Sequence, residues 1–429
     1  MDRTERGHLN LDPPFRAVAG RECNARAKRR IQAKLCEGCV DKQAMELNAL
    51  LLRVHELGAS DLHLKLGKPP LLRRDGLVDE LAGWPSLTPQ DLEAAVVMVT
   101  AGTPERLVTF EETGELDISY QSGFLPRFRV NLFRQRGAIS LAFRLIPDYA
   151  PSFLELRMPV GVERLAGEQR GLVLVTGATG SGKSTTLAAM VDHINRTRKQ
   201  HIVTIEDPIE RLHPDLSCIV SQREVGLDTQ AFDTALRHAL RQDADVILIG
   251  ELRDTETAET ALHAAESGHL VLSTLHTVDA AEAIGRFVEF FPAVKQPLIR
   301  TILASVLKGV VAQRLLPKID RGRVAAVEVM VTNSRIADLI RENRSDDIPD
   351  AIADGGFYDM QTMSQALISL VLSGLVAREA AVNAAPSRHD FVIALDHEEK
   401  ERAAENRRLK SSAPTLTLLR RSTDPVREQ

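Results

Sequence analysis

Aromatic side chains are scarce: one tryptophan, three tyrosines and thirteen phenylalanines amount to 4% of the chain. A surface that stacks single-stranded bases needs more of them, which disfavours that mode of nucleic-acid binding. Long apolar runs are missing too. Val246–Ile249 is representative, against the roughly 20 residues that a membrane-spanning helix needs. The N-terminus is charged and has no signal-peptide core. With four cysteines and no secretory signal, the expected compartment is a reducing cytosol. Neither sign of charge dominates: 54 basic and 59 acidic residues leave a net charge of −5, so no global field draws the chain to phosphate backbones or anionic lipid. No internal repeat is evident. What is present is 44% hydrophobic and 26% charged over 429 residues. That balance is globular, and the length accommodates two or three domains, each with its own core.

One stretch stands out: Gly177-Ala178-Thr179-Gly180-Ser181-Gly182-Lys183-Ser184-Thr185. It follows the apolar run Leu172–Val175 and opens a helix-like stretch over Thr186–Asn195. Strand, glycine-rich loop and helix is the order of a nucleotide-binding P-loop. The glycines let backbone N–H groups converge on phosphate oxygens, and the helix N-terminus adds positive potential. Lys183 would reach the β- and γ-phosphates of a nucleoside triphosphate such as ATP, and the Ser184 hydroxyl would hold Mg²⁺.

Two further apolar runs end in acids. Ile202–Ile205 leads into Glu206-Asp207-Pro208-Ile209-Glu210, and Val246–Ile249 leads into Gly250-Glu251-Leu252-Arg253-Asp254. In a parallel sheet all strand C-termini open on one edge. The acids are therefore expected to gather beside the P-loop, where they could bind Mg²⁺ through water and orient the attacking water. Taken singly, each could instead cap the next helix. The run Leu270–Ser273, followed by Thr274-Leu275-His276-Thr277, puts His276 on the same edge. There it either senses the γ-phosphate or a neighbouring acid, or serves the structure alone.

The rest of the chain divides around this core. Residues 1–44 are polar and basic, with Arg21, Arg26, Lys28, Arg29, Arg30 and Lys34 close together. They read as a solvated or partly helical arm, with contact to an acidic partner or a membrane surface as the alternative. Met45 heads an amphipathic helix over Glu46–Val54 and is a candidate second or true start. Residues 45–147 read as an α+β domain, with polar–apolar alternation in Asp61–Leu66, Phe128–Phe133 and Ile139–Leu145 and turns at Pro69-Pro70 and Asp75-Gly76. Residues 148–170 read as a linker, since Pro147, Pro151 and Pro159 limit regular structure. Residues 171–395 read as the P-loop domain. Strands at 172–175, 202–205, 246–249 and 270–273 alternate with helical stretches, which implies a mostly parallel sheet with helices on both faces. Residues 396–429 read as a charged tail, a short exposed helix followed by disorder.

In this combination the chain resembles the secretion-type ATPases that power type IV pili and type II secretion, and most closely the PilT-like twitching-motility retraction ATPases. The segments that carry the likeness are Ala59–Leu64, Arg127–Asn131, the Walker A run 177–185, Thr204–Glu210 (the Asp box), Ser221–Gly226, Gly250–Asp254 (Walker B) and Gly268–Thr277 (the His box). Gln313-Arg314-Leu315, Leu339–Glu342 and Met360–Met363 continue it in the same order. The resemblance implies an α/β fold, a RecA-like P-loop ATPase domain behind a smaller α+β, PAS-like N-terminal domain. It implies Mg²⁺-dependent ATP hydrolysis by a homohexamer at the cytoplasmic face of the inner membrane. The implied partner is an inner-membrane pilus platform protein, with no nucleic acid bound and no direct membrane insertion.

The resemblance also assigns roles. Glu210 would be the base or water-positioning residue, supported by Glu206 and Asp207. Glu251 would act at the metal with Ser184 and Glu206, where many P-loop ATPases carry an aspartate. His276 would sense the γ-phosphate, with His269 a secondary member of its box. In this family the small domain folds over the nucleotide and supplies arginines; Arg129 and Arg144 match that pattern, Arg136 less clearly. Each arginine could alternatively be a surface ion pair.

Extension and secretion relatives carry a zinc element of two C-x-x-C pairs. Here only Cys218 lies beyond residue 39, so that element is absent and retraction is favoured over assembly. Cys36-Glu37-Gly38-Cys39 is joined only by Cys23. Three cysteines leave tetrahedral zinc one ligand short, unless His8 or a second chain contributes, and inert thiols are expected. Retraction relatives read A-I-R-N-L-I-R-E where this chain reads Arg335-Ile336-Ala337-Asp338-Leu339-Ile340-Arg341-Glu342. Ala337 replaces the first arginine, which raises the reading of a paralogue that assists a principal motor. A scaffold that binds ATP with little turnover is the reading from a different class. A nucleic-acid translocase with a similar core is the third, and DNA-stimulated hydrolysis would reveal it.

Overall fold

Leu47, Leu50, Leu51 and Val54 recur at helical spacing, and all four are buried along one face of the helix Glu37–Glu56. The computed structural model describes residues 37–74 and 76–412. The basic arm up to residue 36, with His8, Cys23 and Cys36, lies outside the described residues, as do the Cys39 thiol and the tail from residue 413. Because the helix starts at Glu37, the boundary expected between residues 44 and 45 falls inside it.

The chain divides into two compact units. The first joins residues 37–150 with two later segments, Asp207–Pro214 and Glu224–Asp228, that the sequence places inside the P-loop domain. Its sheet is built from β1 (Asp61–Lys65), β2 (Leu71–Arg74), β3 (Leu77–Glu80), β4 (Glu115–Tyr120), β5 (Phe128–Gln135) and β6 (Ala138–Leu145). The order is β3-β2-β1-β6-β5-β4, with every pairing antiparallel. Alternation decides which side is core. Phe128, Val130 and Leu132 of β5 are fully buried while Arg129 between them is exposed. Phe128 meets Phe143 of β6 edge-to-face, with ring centroids 6.3 Å apart, a pairing worth about 0.5–1.5 kcal/mol beyond its buried area. The helix Pro89–Val99 starts at a capping box of Thr88 and Asp91 and buries Leu92, Val96 and Val99 against this core. On the other face, Arg129 and Arg144 are cross-strand partners, and Arg144 also lies opposite Asp61 of β1.

The second unit contains β7 (Gly171–Thr176), β8 (His201–Glu206), β9 (Ile219–Glu224, whose last residue belongs to the first unit), β10 (Val246–Ile249), β11 (Leu270–Leu275), β12 (Leu307–Pro317) and β13 (Arg323–Val331). The order is β13-β12-β7-β11-β10-β8-β9. From β12 to β8 neighbours run parallel, and β13 is antiparallel to β12. Every residue of β7, β10 and β11 is buried, the continuous apolar pattern of parallel strands covered on both faces.

The segment read as a linker is structured. Ser152 and Glu155 form a capping box on the helix Phe153–Leu156, and Pro159 is the N-cap of the helix Val160–Ala166. The prolines precede helices rather than interrupt them, which is where a missing N–H costs least. Val162, Leu165 and Ala166 are fully buried. Leu165 packs so closely on β12 that a Cβ at Gly309 would lie 2.6 Å from its side chain and 2.3 Å from the Met330 carbonyl. Glycine at 309 is therefore a packing requirement, placed where the β12 register shifts.

At the other end, one helix, Arg388–Ser412, spans the expected boundary at residue 395. Phe391 and Leu395 are buried with Leu316, Val324, Leu367 and Val376. Arg378 then clamps the helix by pairing with Asp396 and Glu399. Elsewhere the buried carboxyl of Glu328 accepts from the first amides of two helices, Ala280 at 2.9 Å and Met363 at 3.2 Å. Burial pushes its pKa up, and those two amide donors oppose the shift. Among the described residues no helix is long and apolar enough to cross a membrane.

Candidate active site

The P-loop joins β7 to the helix Lys183–Thr197, so its amides end at a helix N-terminus. Gly177 sits at φ +147, and a Cβ there would lie 2.5 Å from both the Gln313 carbonyl and Ser181 Oγ. No other residue fits. Ser181 Oγ is itself buried, with no hydrogen-bond partner among the described residues. A tight backbone cradle holding a buried hydroxyl donor suits a polyphosphate. Lys183, only 8% exposed, donates from Nζ to the carbonyls of Gly177 at 2.8 Å and Ala178 at 3.2 Å. Ser184 is exposed at the first turn of the helix.

Threonines and a serine align the neighbouring strand ends. Thr176 Oγ1, closing β7, bonds the Thr277 carbonyl at 2.7 Å and accepts from the Thr277 amide at 3.0 Å. Thr274 Oγ1 donates to the Gly250 carbonyl at 2.7 Å, and Ser273 Oγ to the Ile249 carbonyl at 2.8 Å. These bonds register the loop after β11 against β7 on one side and β10 on the other. His276 is thereby held between Lys183, with Nδ1 3.4 Å from Nζ, and Glu251, with Nε2 3.3 Å from Oε2. An ammonium can only donate, so Nδ1 accepts and the proton belongs on Nε2, which donates to the carboxylate. Glu251 also pairs with Arg253. Glu206, at the end of β8, accepts from Thr204 Oγ1 at 2.7 Å and Gln222 Nε2 at 3.2 Å.

The structure thus brings Lys183, His276 and Glu251 together, and sets Glu206 at the end of β8, the strand paired with β10. Glu210, Arg129 and Arg144 belong to the first unit. Arg129 pairs with Asp117 at 3.8 Å and Arg144 with Asp61 at 2.9 Å. Arg136 occupies the β5–β6 turn with φ +52. His269 is bound to the Ala264 carbonyl and Ser267 Oγ, each at 3.0 Å, at the other end of β11. Its contacts are structural. Arg211, beside Glu210, has its pKa lowered by burial, with the Glu210 charge opposing that shift.

Residues 155–346 match the family model described as type II/IV secretion system protein. The chain is 45% identical over 347 residues to the type IV pilus retraction ATPase PilT of Pseudomonas aeruginosa, covering 81% of this chain and 100% of that protein. The chain belongs to the PilT-like secretion ATPases. The pilus ATPase PilU of the same organism is 40% identical over 348 residues, with 81% of this chain and 90% of that protein covered. A crystal structure of the pilus retraction motor PilT with bound ADP superposes with a TM-score of 0.74 at 45% identity, covering 80% of this chain and 98% of that one. The fold is accordingly the RecA-like P-loop ATPase with a smaller N-terminal domain, and the nucleotide is the ligand of a PilT-like ATPase.

Sequence reading named Gln313 only as part of a motif; the structure gives it work at the P-loop. β12 runs parallel to β7 with Ala312 opposite Thr176, so Gln313 falls beside the loop. It is 1% exposed. Its Nε2 donates to the Ser181 carbonyl at 2.7 Å, and its Oε1 accepts from Thr186 Oγ1 at 2.9 Å. The threonine fixes the amide's orientation, and the amide holds the Ser181 carbonyl turned toward β12. In a planar peptide the Gly182 N–H then points the opposite way. Gln313→Ala leaves that carbonyl unsatisfied, at a cost of about 1–3 kcal/mol. The expected result is nucleotide binding weakened about tenfold, read by titration with a fluorescent ADP analogue; unchanged affinity would mean that the loop keeps its shape without the amide.

Proposed function

We propose that this PilT-like ATPase powers retraction of type IV pili, as a hexameric ring at the cytoplasmic face of the inner membrane acting on a pilus platform protein. The observation that carries this reading is the 45% identity along the whole length of Pseudomonas PilT. The cysteine pattern supports it, since beyond residue 39 the chain has Cys218 alone and that residue is buried. In this reading Lys183 and the loop amides bind the triphosphate, and His276 links Lys183 to Glu251 as a γ-phosphate sensor. Ser184, Glu206 and Glu251 form an all-oxygen donor set that suits Mg²⁺; when bound, the ion neutralises phosphate charge. Glu210 positions and deprotonates the attacking water. Arg129 and Arg144 neutralise charge on the phosphoryl group in flight. Rigid-body changes of the ring subunits then turn hydrolysis into work.

A deletion strain tests the proposal: twitching should be lost while surface pili accumulate. Normal twitching with ordinary piliation would refute a retraction role. An accessory motor is the second reading, favoured by Ala337, which is buried in the helix Ser334–Arg341 where relatives carry arginine. That reading expects twitching to be weakened rather than abolished.

A further inference from the structure

Glu224 ends β9 and is 3% exposed. A carboxylate taken that far from water needs several partners, and it has them within the first unit. Ser119 Oγ of β4 lies 2.7 Å from each of its oxygens, and Arg127 Nη2 lies 2.9 Å from Oε2. The same Oε2 accepts from the amide of Ile209 at 3.3 Å. Ile209 directly precedes Glu210. On the far side of Glu210, the Leu212 amide donates to the Pro147 carbonyl at 3.3 Å, and Arg211 donates to the Tyr149 carbonyl. Glu224 is anchored in turn: its amide donates to Asp228 Oδ2 at 2.8 Å, and Arg106 reaches the Gly226 carbonyl. Both flanks of Glu210 are therefore tied to the first unit, one through Glu224 to β4 and the other to the segment that follows β6, although Glu210 follows β8 in sequence.

We propose that Glu224 is a positioning residue for Glu210, fastening the segment 207–214 to the N-terminal sheet so that Glu210, Arg129 and Arg144 move as one body. Nucleotide binding, which uses the P-loop, is then separable from hydrolysis, which needs that body correctly placed. The inference rests on reading Glu210 as the residue that prepares the attacking water.

The test is steady-state hydrolysis by the full chain carrying Glu224→Ala, with ADP affinity and thermal unfolding measured alongside. Displacing a reacting group by about 1 Å can cost on the order of 10²-fold. Glu224→Ala should lower kcat by about 10- to 100-fold and leave KM for ATP and affinity for ADP within about twofold. Adding Glu224→Ala to Glu210→Gln should cause little further loss, because both act on one group. If Glu224→Ala unfolds, Ser119→Ala removes one contact and should still lower kcat without moving KM. An unchanged kcat in the folded variant, with Glu210→Gln inactive, would overturn the positioning role. A fully active Glu210→Gln would instead overturn the reading of Glu210.

Discussion

Lys183→Ala is expected to remove ATP hydrolysis almost completely, by about 10²–10³-fold or more, the loss typical of removing one preorganised donor to transition-state charge. The ammonium is held by the Gly177 and Ala178 carbonyls in a buried site, with His276 3.4 Å away. Its desolvation is thus already offset by fixed dipoles, and it needs little reorganisation to face a phosphate. Alanine removes the charge, the three donors and the tie to His276 together. Arginine is no substitute, because its planar fork does not fit a site shaped for a compact ammonium. Phosphate release at saturating Mg²⁺-ATP is the measurement, with circular dichroism to confirm that the variant folds. Wild-type turnover no faster than the variant's would leave a nucleotide-dependent scaffold as the remaining reading. Glu251→Ala should behave similarly in turnover, since it removes the acceptor of the His276 proton and the partner of Arg253.

The parts of this site that were readable in advance are those whose signal is local. Leu172–Val175, Ile202–Ile205, Val246–Ile249 and Leu270–Ser273 are apolar runs that can only be buried strands, and each appears with at most two residues added at either end. The P-loop glycines announce themselves by spacing. By contrast β12 continues directly from the helix Gln296–Val306 at Leu307, with no turn residue between them. No break in the sequence marks the change of period. The edge strand β9 is mostly polar and half-exposed, so it has neither an apolar run nor clean alternation. Pro151 and Pro159 look like breakers in the sequence because proline's effect depends on whether it stands before a helix or inside one, and composition does not say which.

Function-bearing contacts escaped for a related reason: they join residues far apart in the chain. Gln313 meets Ser181 across 132 positions, and Thr176 meets Thr277 across 101. Nothing local to Gln313 distinguishes it from any other glutamine inside a strand. The grouping of Glu210 with the N-terminal sheet is of the same kind. Sequence continuity assigns it to β8, whereas Glu224, Pro147 and Tyr149 decide where it is held.

Arg144→Ala should cost about 10³-fold or more in kcat, within the range expected of an arginine that neutralises phosphoryl charge, while thermal stability hardly changes. The competing view is that Arg144 merely completes an ion pair with Asp61. Burial separates the two. The Asp61 side chain is 10% exposed but that of Arg144 is 71% exposed, so the arginine contributes an interaction screened by water, worth about 0–1 kcal/mol. Asp61 also keeps Ser60 Oγ at 2.8 Å and Arg73 at 3.8 Å. Removing the guanidinium therefore leaves no orphaned buried charge, and a structural role predicts almost no phenotype. Arg129 is in the same position, 43% exposed and 3.8 Å from the exposed Asp117. Arg129→Ala is expected to lower kcat with folding intact. Lysine at either position should restore the charge but not the planar fork, and so recover only part of the rate. Near-wild-type kcat in both alanine variants would reduce these arginines to surface ion pairs and leave charge neutralisation to Lys183 and the metal.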